Sequence, residues 1–80
     1  MNTYSTSASF ACPNNGDIDR YDIEIRSAKT IQVETILRVL SEVPAKIYQE
    51  DLASFLCSKL GAEVKVSGWH QGIFIMSVRQ

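Results

Sequence analysis

The sequence has no long apolar run, little cysteine and no excess of charge of either sign. Its 80 residues include two cysteines, two prolines and one histidine, and eight basic side chains stand against nine acidic ones. Without roughly 20 consecutive apolar residues, no membrane-spanning helix is predicted. A formal charge of -1 creates no field that would hold a polyanion. Nonspecific binding of nucleic acid is therefore not expected.

Metal and disulfide frameworks are also not predicted. Cys12 and Cys57 are too few for a disulfide scaffold and lack the spacing of a zinc knuckle, and His70 has no spaced partners. Residues 1–9 are polar and lack the apolar region of a signal peptide, so we expect a cytoplasmic protein.

The composition that remains is that of an ordinary globular domain, with 45% apolar and 21% charged residues. Residues 1–80 contain no repeat and no linker, which predicts a single domain. A chain of this length buries only about 60% of the surface that its unfolded form exposes. Assembly with further subunits is therefore favoured.

Apolar periodicity predicts the order strand, strand, helix, helix, strand, strand. The predicted strands are residues 1–11, 20–26, 63–66 and 72–79, and the predicted helices are residues 32–43 and 48–60. In the second strand Tyr21, Ile23 and Ile25 alternate with polar residues, which indicates a half-buried strand. The last strand is expected to be the more fully buried one, because it is apolar at Ile73, Phe74, Ile75, Met76 and Val78.

Each predicted helix has one apolar face. In the first helix these residues are Val33, Ile36, Leu37, Leu40 and Val43; in the second they are Leu52, Phe55, Leu56 and Leu60. Glu50 and Asp51 suit the positive start of the second helix, and Gly61 suits its end. The fold class is therefore α+β, with both helices on one face of a four-stranded antiparallel sheet.

The segment from Cys12 to Asp17 concentrates residues that favour turns, so it is predicted to be a loop. A thiol reacts as an accessible thiolate, which makes the loop residue Cys12 the candidate nucleophile. Cys57 lies in the middle of a predicted helix and is interpreted as packing. From position alone, an inert Cys12 stays the alternative.

The stretch from Phe10 to Ile25 resembles the nitrile-reductase family that acts on 7-cyano-7-deazaguanine; it is F-A-C-P-N-N-G-D-I-D-R-Y-D-I-E-I. The family pattern is Cys-Pro-x-x-Gly-x-x-Asp followed by an alternating strand. Its positions are occupied here by Cys12, Pro13, Gly16, Asp19, Ile23 and Ile25.

The resemblance extends over most of the chain, from Phe10 to Ile75. Residues 48–51, Tyr-Gln-Glu-Asp, resemble the family's aromatic-His-Glu-Asp segment, and residues 64–68 resemble its next strand. The resemblance implies the tunnelling fold, in which the sheets of several subunits close into a barrel with sites at subunit interfaces. A homo-oligomer is therefore expected.

The resemblance also implies roles for individual residues. Cys12 would add to the nitrile carbon to give a thioimide, and Asp19 would protonate the nitrile nitrogen. Glu50 would bind the amino and ring N–H groups of the base, with Gln49 and Glu34 as further substrate-binding candidates. The structural alternatives are that Asp19 caps a turn and that Glu50 stabilises a helix N-terminus.

Three departures from the family pattern separate the possible reactions. Reductases of the family carry a lysine-containing segment for the nicotinamide cofactor, but here Glu34 is followed by Thr35, Ile36, Leu37 and Arg38. Gln49 stands where the family usually has histidine, and the last loop, residues 70–73, lacks the family's arginine and one glycine. The chain is therefore closer to the short archaeosine-synthase-like branch, which lacks the cofactor segment and adds ammonia to form an amidine on tRNA.

Two alternatives stay open: an NADPH-dependent reductase, and a module that binds the nucleobase or assists assembly without turnover. No cofactor is expected unless the chain is a reductase. The substrate would be 7-cyano-7-deazaguanine, free or within tRNA, and tRNA would need a local basic patch from residues such as Arg20, Arg26, Lys29 and Arg38. Trp69 and His70 could stack on or orient a base, but a structural role, in edge packing or in a subunit contact, is the favoured interpretation for both.

Overall fold

Four strands and two helices follow one another in the predicted order. The elements are β1 (Asn2–Ala11), β2 (Ile18–Ser27), α1 (Val33–Ser41), α2 (Gln49–Leu60), β3 (Glu63–His70) and β4 (Ile73–Arg79). The computed structural model describes residues 1–80. Neither helix has the length and apolar character needed to cross a bilayer.

The strands form one antiparallel sheet in the order β1-β2-β3-β4. The predicted alternation of β2 is confirmed, since Tyr21, Ile23 and Ile25 are buried between residues that point to the other face. They pack against both helices in one apolar cluster, in which Leu52, Leu56, Val64 and Val66 are fully buried. The predicted α+β class, with two helices on one face of the sheet, is confirmed.

The buried face of α1 differs from the predicted one. Ile36, Val39 and Val43 enter the core, whereas Val33 is 58% exposed and Leu37 is 59% exposed. The predicted apolar face is wider than the surface that covers it, because α1 packs only lightly on α2 and an open groove lies between α1 and Tyr4 of β1. Val33 and Leu37 therefore line a shallow apolar groove instead of the core.

The expectation that β4 is the more fully buried strand is wrong. Ile73, Phe74, Met76 and Val78 are each at least 44% exposed, and only Ser77 is buried. The reason is topological: β4 has a neighbour only in β3, and its even-numbered residues project from the sheet face that carries no helix. Ile73, on the other face, is at the start of the strand and borders an open cavity. An exposed, apolar edge strand is a surface on which another chain can pair.

Candidate active site

Cys12 is held in a tight loop at the end of β1. Its N–H donates to the carbonyl of Asp17 at 2.7 Å, and its carbonyl accepts from the N–H of Gly16 at 2.8 Å. Gly16 has a φ of +78°, a conformation that glycine adopts without strain. These bonds confirm the predicted loop and fix the backbone from which the thiol projects.

The segment before α2 is tied to the residue that precedes Cys12. Ala11 donates its N–H to Ala45 at 2.9 Å, and Ile47 donates its N–H to Ala11 at 3.1 Å. This short parallel bridge places the start of α2 next to the Cys12 loop. Residues that are 34 and 36 positions apart along the chain therefore meet at one place.

Two adjoining cavities open beside Cys12. The larger has a volume of about 490 Å³ and is lined by Cys12, Asp19, Tyr48 and His70 among others. The smaller has a volume of about 240 Å³ and adds Tyr21, Gln49 and Glu50. Cys12, Tyr48, His70 and Ile75 border both. The volume of the larger cavity lies within the range of about 300–1,000 Å³ that is typical of ligand pockets.

His70 joins two of the predicted site residues. Its Nδ1 lies 3.4 Å from Oδ2 of Asp19, and its Nε2 lies 2.7 Å from Oε1 of Gln49. The ring also lies 5.6 Å from the ring of Tyr21, centroid to centroid. The predicted edge packing thus holds for Trp69, whose ring packs at a tilt of 55° against that of Phe74 with 5.2 Å between the centroids, but not for His70, whose ring lies in the site.

Gln49 is the buried anchor of this network, with 3% of its surface exposed. Its amide nitrogen donates to the carbonyls of Val66 and Ile75, both at 2.9 Å, and lies 3.3 Å from Oγ of Ser77. The amide therefore ties α2 to β3 and β4 beneath the cavity. The side chain of Gln49 is in turn contacted by the imidazole of His70, at the end of β3.

Replacing Gln49 with leucine is expected to lower the free energy of unfolding by about 3 kcal/mol, because buried carbonyls of Val66 and Ile75 lose a donor. Urea denaturation at matched protein concentration measures the change. Gln32→Leu is the control: Gln32 is exposed and its side chain makes no capping hydrogen bond. Equal stability of the two variants would contradict the anchoring role.

Tyr21 lies between the polar groups of the site and the core. Burial is the main cause that raises the pKa of Tyr21 from 10.0 to about 12. The negative charges of Asp19, Cys12 and Glu50 raise this pKa further, in that order of size. The phenol is therefore neutral at physiological pH. The position of its ring requires glycine at residue 68, since a Cβ on Gly68 would lie 2.8 Å from Cδ1 of Tyr21.

The structure brings four of the five predicted site residues together and leaves one apart. Cys12, Asp19, Gln49 and Glu50 border the two cavities. Glu34 is exposed in the first turn of α1 and borders neither. Sequence reasoning did not place Tyr48 and Tyr21 in the site, and for His70 it favoured a structural role over contact with a base. Tyr48 carried a signal, because it immediately precedes Gln49. No group of three or more His, Cys, Asp or Glu residues is arranged to hold a metal ion.

No protein-family model and no curated protein matches the chain. Among solved structures, the fold is similar to that of the archaeosine synthase QueF-Like in its apo form, with a TM-score of 0.85 and 18% sequence identity. The similarity covers 98% of this chain and 89% of the other. At this identity the likeness shows a shared fold, which agrees with the tunnelling-fold domain expected from the sequence.

Proposed function

We propose that this chain is an enzyme that converts the nitrile of 7-cyano-7-deazaguanine, free or within tRNA, through a covalent bond to Cys12. The observation that carries the proposal is the convergence of Cys12, Asp19 and Glu50 on two adjoining cavities. These residues come from the β1–β2 loop, β2 and α2, so their meeting is a property of the fold. The similar fold of an archaeosine synthase supports the same chemistry.

The first step needs a nucleophile and an acid, because a nitrile is a weak electrophile. The Cys12 sulfur bonds to the nitrile carbon while one π bond of the triple bond breaks, and the nitrogen takes a proton from Asp19. The proton lost by the thiol restores Asp19. The net change is the addition of the thiol S–H across the triple bond, which gives a thioimide without oxidation or reduction.

Recognition of the base falls to Glu50 and Tyr48. Glu50 is exposed at the first turn of α2 and borders the smaller cavity, where two carboxylate oxygens match the amino and ring N–H groups of a guanine-like edge. Tyr48 is 47% exposed and borders both cavities, which suits a ring that stacks on a planar base. The nitrile would then point toward Cys12.

The second step in this proposal is the attack of ammonia on the thioimide carbon. The C–S bond breaks, the sulfur regains a proton, and the product is an amidine. Reduction would instead need a bound nicotinamide cofactor with phosphates near α1. The one basic residue of α1, Arg38, lies 4.0 Å from Glu42, and Glu34 adds a negative charge at the start of the helix. This charge distribution favours the amidine over the amine.

Product analysis tests the proposal and separates its alternatives. The protein is incubated with the free nitrile base or with tRNA that carries it, each with ¹⁵N-labelled ammonium or with NADPH. We expect an amidine that contains one ¹⁵N atom and no oxidation of NADPH. Formation of an amine with oxidation of NADPH would contradict amidine formation and identify a reductase. Binding of the base without any product would identify a nucleobase-binding module.

Comparison of the two substrates shows which source of the base is used. Of the four residues predicted to form a basic patch, Arg20, Arg26 and Arg38 each pair with a carboxylate, at 3.8, 3.3 and 4.0 Å, which leaves Lys29 as the one without an ion pair. A tRNA substrate would therefore require a basic surface formed by several subunits. If only the tRNA is converted, tRNA is the substrate. If only the free base is converted, tRNA is excluded as the substrate.

The protein is proposed to act as a homo-oligomer with its sites at subunit interfaces. Both edge strands, β1 and β4, have unpaired sides, and the rim of the larger cavity is apolar at Ile73, which is 66% exposed. Pairing of β4 with β1 of a second copy would continue the sheet and cover this rim. Sedimentation analysis is expected to give a mass of at least two chains of 8.9 kDa each. A monomer with full activity would contradict the proposal.

A further inference from the structure

The turn between β3 and β4 holds a glutamine in a backbone conformation that glutamine rarely adopts. His70 pairs with Ile73, so the turn contains only Gln71 and Gly72. Their φ values are +51° and +83°, and two positive values are typical of a type I′ turn. Asparagine, aspartate and glycine tolerate a positive φ and are the usual first residues of this turn. Gln71 is the one residue other than glycine with a positive φ, so its backbone is strained.

The packing of the fold does not explain why a glutamine occupies this position. The side chain of Gln71 is exposed, makes no hydrogen bond to another residue and takes no part in the apolar cluster. It does border the larger cavity, which Gly72 does not. Backbone strain that the local structure does not require is typically found at sites that bind a ligand.

A second unpaired amide borders the same cavity from the β1–β2 loop. Asn14 is exposed and its side chain makes no hydrogen bond within the chain. Its neighbour Asn15 differs, because it accepts from the N–H of Asp17 at 2.9 Å and so stabilises the loop. The side chains of Asn14 and Gln71 are therefore free to bind a ligand.

The chemistry of these two amides indicates the kind of group that they bind. A carboxamide both donates and accepts hydrogen bonds, as does a sugar hydroxyl. No lysine or arginine borders the larger cavity, whereas Asp17 and Asp19 do, which disfavours a phosphate group there. A neutral group with several hydroxyls suits this part of the cavity.

The position of Glu50 indicates which part of the substrate the two amides meet. Glu50 borders only the smaller cavity, Gln71 and Asn14 border only the larger one, and Cys12 borders both. A base that reaches from Glu50 to Cys12 places its nitrile-bearing ring where the two cavities adjoin. The glycosidic nitrogen belongs to the same five-membered ring. A sugar attached to that nitrogen therefore enters the larger cavity.

The geometry points to a ribose subsite, formed by Gln71 and Asn14, that selects the nitrile base linked to ribose over the free base. The larger cavity, of about 490 Å³, adds to the 240 Å³ of the smaller one and leaves room for a sugar beside the base. The subsite rests on the proposed function for the position of the base. It goes beyond that function because it names the form of the substrate, a ribonucleoside alone or within RNA.

Equilibrium binding to the Cys12→Ala variant tests the subsite without turnover. Calorimetry compares 7-cyano-7-deazaguanine with its ribonucleoside, and we expect the ribonucleoside to bind at least about tenfold more tightly, the effect of two added hydrogen bonds. With Gln71→Gly added, the affinity for the ribonucleoside is expected to fall to within about threefold of that for the free base. The affinity for the free base is expected to change by less than about twofold, because Gln71 does not border the smaller cavity.

Thermal unfolding separates recognition of the sugar from a structural role of Gln71. Glycine removes the strain at position 71, so Gln71→Gly is expected to raise the melting temperature by about 4 °C while the preference for the ribonucleoside is lost. A variant that melts at a lower temperature, or that loses affinity for both ligands alike, would contradict the subsite.

The binding data also separate failure of the subsite from failure of the proposed function. Equal affinities for the base and the ribonucleoside, or an undiminished preference in Gln71→Gly, would overturn the subsite. The proposed function would still stand if the free base formed the Cys12 adduct on the wild-type protein. If neither ligand binds and neither forms an adduct, the proposed function fails and the subsite fails with it.

Discussion

Cys12→Ala is expected to abolish conversion of 7-cyano-7-deazaguanine, with a fall in rate of about 10⁶-fold, the scale seen when a covalent nucleophile is deleted. The reason is that no other thiol reaches the cavities. Cys57 lies on α2 and packs against the apolar cluster. Product formation, measured by liquid chromatography under saturating substrate and ammonia, checks the prediction.

Cys57→Ala is the matched control for this experiment. Both cysteines are free and partly exposed, so the two variants remove the same group from sites of similar accessibility. Cys57→Ala is expected to keep the wild-type rate to within about twofold, because the substitution removes only one sulfur from the edge of the core. Equal losses in both variants would indicate a general effect on folding and would contradict a nucleophilic role of Cys12.

Asp19→Asn is expected to slow thioimide formation by about 10²- to 10⁴-fold, the contribution of a positioned general acid. Asparagine keeps the size of the side chain and can still contact Nδ1 of His70, so the cavity should be preserved. It has no acidic proton for the nitrile nitrogen. Stopped incubation followed by intact mass spectrometry gives the rate of adduct formation.

Asp17→Asn is the control for Asp19→Asn. Asp17 borders the same cavity but is exposed, and its side chain has no ionic partner in the site. We expect a change of less than about threefold, since the charge that is removed is exposed and screened by solvent. If Asp17→Asn were as slow as Asp19→Asn, the acid would be wrongly assigned and the interpretation of Asp19 as a turn residue would gain support.

Much of the fold could be predicted because its signals are local. The alternation of Tyr21, Ile23 and Ile25 identifies β2, and the first-turn acids and Gly61 delimit α2, whose last residue is followed by a left-handed glycine with a φ of +61°. Periods of 2 and 3.6 residues depend only on neighbouring positions. These features therefore need no knowledge of the tertiary structure.

The errors concern features that depend on position within the sheet. A run of apolar residues is common to a central strand and to an edge strand that meets another subunit, so Phe74 and Met76 gave no indication of their exposure. The exposure of Val33 and Leu37 likewise depends on how closely α1 packs on the rest of the fold. Neither property can be read from a window of sequence.

The candidate site shows the same division. Cys12, Asp19 and Glu50 could be named from a motif, because their spacing resembles that of a known family. The place of His70 could not, since its partners Asp19 and Gln49 lie 51 and 21 positions away in the chain and meet it only when the register of β2, β3 and α2 is known. A single histidine without spaced partners carries no such information.

The most direct test of the account is intact mass spectrometry of the wild-type protein incubated with 7-cyano-7-deazaguanine, without ammonia or any cofactor. The account predicts an increase equal to the mass of the whole nitrile, one equivalent per chain, which peptide mapping places on Cys12 and which Cys12→Ala lacks. The same incubation is made with tRNA that carries the base. If the protein stays unmodified with both substrates while Cys12 is still open to alkylation, the account is contradicted.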